Sequence, residues 1–147
     1  MECRAPFSPY NLRLYRQTYF GIRDVLSPLV RSRSVSVLPM QRAHEGRAWL
    51  LEICPASTLK QSNRYAPYKG RTADHRAMRE RVLAWLHETC SVSVYDSKLR
   101  STIVDESSGD ALDSVIAALA VFRALRDPAR FAADGSNAYR IEGYVYA

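Results

Sequence analysis

Three carboxylates hold the positions from which this chain could do chemistry: Glu52, inside the apolar run Arg47 to Cys54, and Asp110 and Asp113, at the head of an alanine-rich stretch. Side chains alternate across a strand, so Trp49, Leu51 and Ile53 share one face and Ala48, Leu50, Glu52 and Cys54 the other. With both faces otherwise apolar, residues 47–54 read as a buried strand stopped by Pro55. Glu52 then lies near the strand's C-terminal end, where open α/β sheets place their ligand sites. A carboxylate in such a strand is costly unless it is paired, hydrogen-bonded or bound to a cation, and a nearby arginine is the structural alternative. Asp110 and Asp113 stand three apart and share a helix face, where two carboxylates suit a hard divalent cation. The competing explanation is that Asp110 caps the helix and Asp113 completes a capping box.

A second constellation follows the Glu52 strand. Arg64, Tyr65, Tyr68, Lys69 and Arg71 interleave charge with aromatic rings, a pattern that can hold phosphate and stack a base. The alternative is a tyrosine-anchored surface loop. From Thr58 to Arg81 there are seven basic residues against Asp74 and Glu80, while Asp105 to Asp113 holds four acids and no base. The basic segment is either a phosphate-backbone footprint or an ordinary solvated face. His44, His75 and His87 lack metal-ligand spacing, and no CxxC, Walker A or GxGxxG pattern occurs.

The elements that must position these residues follow from periodicity. Ser8 and Pro9 open a helix over residues 9–27, interrupted near Gly21, with Leu12, Tyr15, Tyr19, Ile22, Leu26 and Leu29 on its apolar face. Val35 to Leu38 reads as a short strand, residues 55–72 as a loop, and Thr72 as the cap of a helix over 73–89. Val92 to Tyr95 follows as a strand and Ser97 to Asp105 as a helix. A helix over 110–126 faces Leu112, Val115, Ile116, Leu119, Phe122 and Leu125 inward, and Arg140 to Tyr146 closes the chain as a strand.

The chain has 147 residues, of which 47% are hydrophobic and 24% charged, a globular composition that fits one domain. The longest apolar run, Val115 to Phe122, is too short to cross a bilayer, and the N-terminus carries no apolar signal core. Three widely spaced cysteines indicate neither a disulfide framework nor a zinc site, so a reducing, cytoplasmic setting is expected.

Four segments in order carry a resemblance: Trp49-Leu50-Leu51-Glu52-Ile53-Cys54-Pro55-Ala56, Pro67-Tyr68-Lys69-Gly70-Arg71, Gly109-Asp110-Ala111-Leu112-Asp113 and Glu142-Gly143-Tyr144-Val145. Together they resemble the domain-of-unknown-function family 429, from about Pro9 to the end. The resemblance implies an α/β chain of ribonuclease H-like fold and a divalent-metal-dependent nuclease. In it Glu52, Asp110 and Asp113 would hold Mg²⁺ or Mn²⁺, Lys69, Arg71, Arg64 and Tyr68 would contact the substrate, and DNA or RNA would be the partner. It also implies three N-terminal antiparallel strands, the first bearing an aspartate, and the residues before Glu52 do not supply them. Asp24 falls in the predicted helix and cannot stand in. The expectation is therefore an N-terminally incomplete domain, inactive or poor in metal binding, with a sheet edge that a second copy or a partner chain would cover. A non-catalytic interaction or structural domain that keeps the fold is the alternative.

Overall fold

The structure, a computed structural model, describes residues 15–127 and 137–147. It is mixed α/β, with a small parallel sheet of order β1-β2-β3 and seven α-helices among the described residues. The chain divides into two compact units: residues 1–54 with 124–146, and residues 55–123 with Ala147.

The first unit opens on α1 (Tyr15–Phe20), a π-helical stretch (Gly21–Leu26) and α2 (Ser27–Arg31). The expected interruption at Gly21 is this π stretch, which ends with the Ser27 N–H donating to the Ile22 carbonyl. Pro28 does not end the helix, as the sequence reading expected. It lies in the first turn of α2, which continues directly from the π-helical stretch. The expected apolar face is solvent-facing: Tyr15, Tyr19 and Ile22 are exposed and Leu26 is half-buried. Periodicity specifies an amphipathic helix, not what covers it. Residues 9–14 of the expected helix lie outside the described residues.

Strand β1 (Val35–Leu38) pairs in parallel with β2 (Ala48–Ile53), Val35 opposite Ala48 and Leu38 opposite Leu51. β2 is the central strand, but it is not buried on both faces as its composition suggested. Leu50, Leu51 and Ile53 are half-buried, Trp49 is exposed, and so is Glu52. The expected C-terminal strand is mostly helical: α7 (Asn137–Glu142) precedes β3 (Val145–Tyr146), which places Val145 beside Glu52. Tyr139, Tyr144 and Tyr146 pack edge to face, with centroids 5.1 and 4.9 Å apart.

The second unit is helical. Pro55 starts α3 (Pro55–Gln61) where the sequence reading placed a loop, because a fixed proline φ suits a first helical turn as well as a strand stop. Thr72 caps α4 (Ala73–Cys90) as expected, its hydroxyl accepting from the His75 N–H. Val92 to Tyr95 forms no strand, and Asp96 caps α5 (Ser97–Asp105). α6 (Asp110–Leu125) turns Leu112, Ile116 and Leu119 into a core shared with Leu59, Val82, Leu86 and Ile103. Phe122 and Leu125, expected inside, are exposed.

Candidate functional site

The two aspartates of α6 are presented by Gly109, whose φ of +76° lets the chain turn into the helix. A Cβ at this glycine would meet Lys69 Cγ at 3.1 Å and the Tyr68 ring at 3.2 Å. The bare backbone is thus what lets residues 68–69 lie against the head of α6. The helix's first N–H groups are taken by neighbours: Asp110 N–H donates to Ser108 Oγ (3.3 Å) and Ala111 N–H to Glu106 Oε2 (2.6 Å). Capping is therefore carried by Ser108 and Glu106, and the carboxylates of Asp110 and Asp113 are turned elsewhere.

They converge on one ammonium. Lys69 Nζ lies 2.7 Å from Asp113 Oδ2 and 3.3 Å from Asp110 Oδ1. Tyr68 Oη donates to Asp113 Oδ1 at 2.5 Å. The Ser108 hydroxyl, and then the Lys69 ammonium, hold the Asp110 carboxyl below its ordinary range. Burial alone would lower the Lys69 pKa, but its bonds and charge interactions with Asp113 and Asp110 together raise it above the ordinary value. Asp110 is largely exposed while Asp113 is only 23% exposed, so the inner carboxylate makes the tighter contact.

The loop that carries Tyr68 and Lys69 is fixed by Arg79, a buried guanidinium that no functional argument from the sequence singled out. Its Nε donates to the Val104 carbonyl (2.6 Å), and its Nη1 to those of Tyr68 (2.6 Å) and Gly70 (3.1 Å). The Gly70 N–H in turn donates to the Ser107 carbonyl at 2.8 Å. A signal was present: Arg79 stands three, four and seven residues before Val82, Leu83 and Leu86, all buried, and so on the inner face of α4.

The remaining predicted residues separate. Tyr68 is buried with its ring in the core, so it offers no face to a base. Lys69 is committed to the two aspartates rather than free for phosphate. Arg71 is exposed and carries no ion pair among the described residues, and Arg64 lines a recess with Tyr65 and Trp85. Glu52 belongs to the first unit, near the C-terminal end of β2 as expected but exposed, so burial does not demand a cation for it. A Cβ at Gly143 would lie 4.0 Å from Glu52 Oε2. Within each unit, no three His, Cys, Asp or Glu side chains among the described residues form a group that could hold a metal ion. The pair on α6 fits a narrower requirement: Mg²⁺ is commonly bound through one or two carboxylates, with water and substrate phosphate completing its shell. No helix among the described residues is long and apolar enough to cross a membrane. Comparisons with family models, curated proteins and solved structures find no match to this chain.

Proposed function

We propose that the chain belongs to a Mg²⁺- or Mn²⁺-dependent phosphodiester hydrolase of ribonuclease H-like fold that acts on DNA or RNA. The observation that carries this reading is the convergence of the Asp110 and Asp113 carboxylates on a single cation position, with helix capping already supplied by Ser108 and Glu106. Asp110 and Asp113 would hold the ion. Once bound, such an ion lowers the pKa of water and stabilises charge on a phosphoryl oxygen. Tyr68 keeps Asp113 oriented through its hydroxyl, and Arg79 keeps Tyr68 and Lys69 in register with α6. Lys69 holds the position as a counter-charge until a divalent ion displaces it.

The test is cleavage of single-stranded, duplex and branched DNA and of RNA, with Mg²⁺, Mn²⁺ or EDTA. Cation-dependent cleavage is expected, and Asp110→Asn with Asp113→Asn should lower it at least about a hundredfold. No cleavage with either ion, or cleavage indifferent to both substitutions, overturns the reading. One observation favours a second reading, a non-catalytic domain in which the acids are structural: an ammonium already fills the cation position. Under it, Asp110→Asn with Asp113→Asn would lower the unfolding temperature and Mn²⁺ would not raise it.

A further inference from the structure

The second unit carries a groove between α4 and α5 of about 560 Å³, with Arg76 and Arg81 on one wall and Arg100, Ser97 and Ser101 on the other. Arg76 is compensated, since it pairs with Glu80 and, at 2.9 Å, with Asp105. Arg81 and Arg100 are exposed, and among the described residues neither guanidinium has a carboxylate partner. Two guanidinium groups without a carboxylate partner, one on each helix of the groove, with Ser97 and Ser101 beside Arg100 and with Glu80 engaged by Arg76, suit phosphate oxygens.

The flanks of this groove decide what kind of phosphate. Arg81 also lines a recess of about 260 Å³ with Tyr65, Trp85, Met78 and Arg64. Arg100 also lines a recess of about 210 Å³ with Tyr95, Leu83 and Val94. Tyr95 is 93% exposed, and Tyr65 is 47% exposed with the Lys60 ammonium 5.0 Å from its ring centroid. An arginine groove thus runs between two aromatic recesses and shares one arginine with each. Flat aromatic surfaces on either side of a phosphate track match a chain whose bases are unpaired. A duplex would satisfy the arginines but hide its base faces, and a singly phosphorylated peptide would leave one of the two arginines without a phosphate.

We propose that this face binds single-stranded nucleic acid, with phosphates at Arg81 and Arg100 and bases against Tyr65 and Tyr95. The proposal goes beyond the cleavage reading and needs neither the carboxylates nor a cation. Binding is therefore measured in EDTA, where a failure is separate from any failure of cleavage.

The experiment is fluorescence anisotropy with a labelled single-stranded oligonucleotide, its duplex, and unlabelled polyphosphate as competitor, across a salt series. The single strand should bind more tightly than the duplex, and polyphosphate should compete poorly. Arg81→Gln and Arg100→Gln should each reduce the slope of log K against log salt by about 0.7, one phosphate contact on a single strand. Tyr95→Ala and Tyr65→Ala should each weaken binding about tenfold, the loss of one stacked base. Because Tyr95 is almost wholly exposed, its alanine variant should unfold at the parent temperature and reports binding alone. No binding at low salt, equal binding of duplex or polyphosphate, or binding indifferent to these substitutions overturns the proposal.

Discussion

Under the proposed function a divalent ion would take the position that the Lys69 ammonium holds between Asp110 and Asp113, so the two would compete. Replacing Lys69 with methionine keeps the length of the side chain and removes the competitor. Lys69→Met should tighten Mn²⁺ binding about fivefold, a modest change because half-exposed charges are screened by solvent. Titration calorimetry reads this directly. Unchanged or weaker binding would show that the ammonium organises the carboxylates rather than excluding an ion from them. The same pair sets a pH window. The Asp110 carboxyl is held below its ordinary 3.8, so its contribution to stability is present above that value and is lost as pH falls through the lower folded one. Lys69 is raised above its ordinary 10.5, so its contribution is present below that value and is lost as pH rises through the higher folded one. Unfolding free energy measured against pH should therefore fall at both ends, and in Lys69→Met the alkaline fall from this bridge should disappear.

Among the elements, α4 depends on one buried side chain, that of Arg79. Arg79→Met keeps most of the side-chain volume but leaves the Val104, Tyr68 and Gly70 carbonyls without their donor. Unsatisfied buried acceptors of this kind should cost about 3 kcal/mol in all, readable by urea unfolding. A loss within ~0.5 kcal/mol would mean that water replaces the guanidinium. Elements stated by local chemistry were legible in the sequence: β1 and α5 have the bounds their residues suggested, and Thr72 caps α4. Elements that depend on context were not. Pro55 is compatible with both a strand end and a helix start, and local propensity cannot choose between them. Glu52 looked buried because its neighbours are apolar, yet exposure depends on how many strands and helices cover β2. The head of α6 was left open between ligand and cap; the side chains that reach its first N–H groups are those of Ser108 and Glu106, which no local pattern singled out.

At the scale of the whole chain, a net charge of +6 favours polyanionic partners in general but selects none. Selection must come from where charge is left uncompensated, as at Arg81 and Arg100, beside rings that face solvent. The pairing of Arg79 with carbonyls rather than carboxylates has one more consequence, for the order of events in acid. A guanidinium does not titrate in the accessible range, and neither do its carbonyl acceptors. The bridge from Lys69 to α6 loses its Asp110 arm once that carboxyl is protonated, whereas the hold of Arg79 on Tyr68 and Gly70 rests on backbone carbonyls and needs no carboxylate. Acidification should therefore weaken the outer attachment first, through its Asp110 arm, while the inner one persists. Amide hydrogen exchange should show Gly70, bonded to Ser107, still protected at a pH where the Asp110 carboxyl signal has already shifted. Loss of both together would mean that the two attachments act as one cooperative unit rather than in sequence.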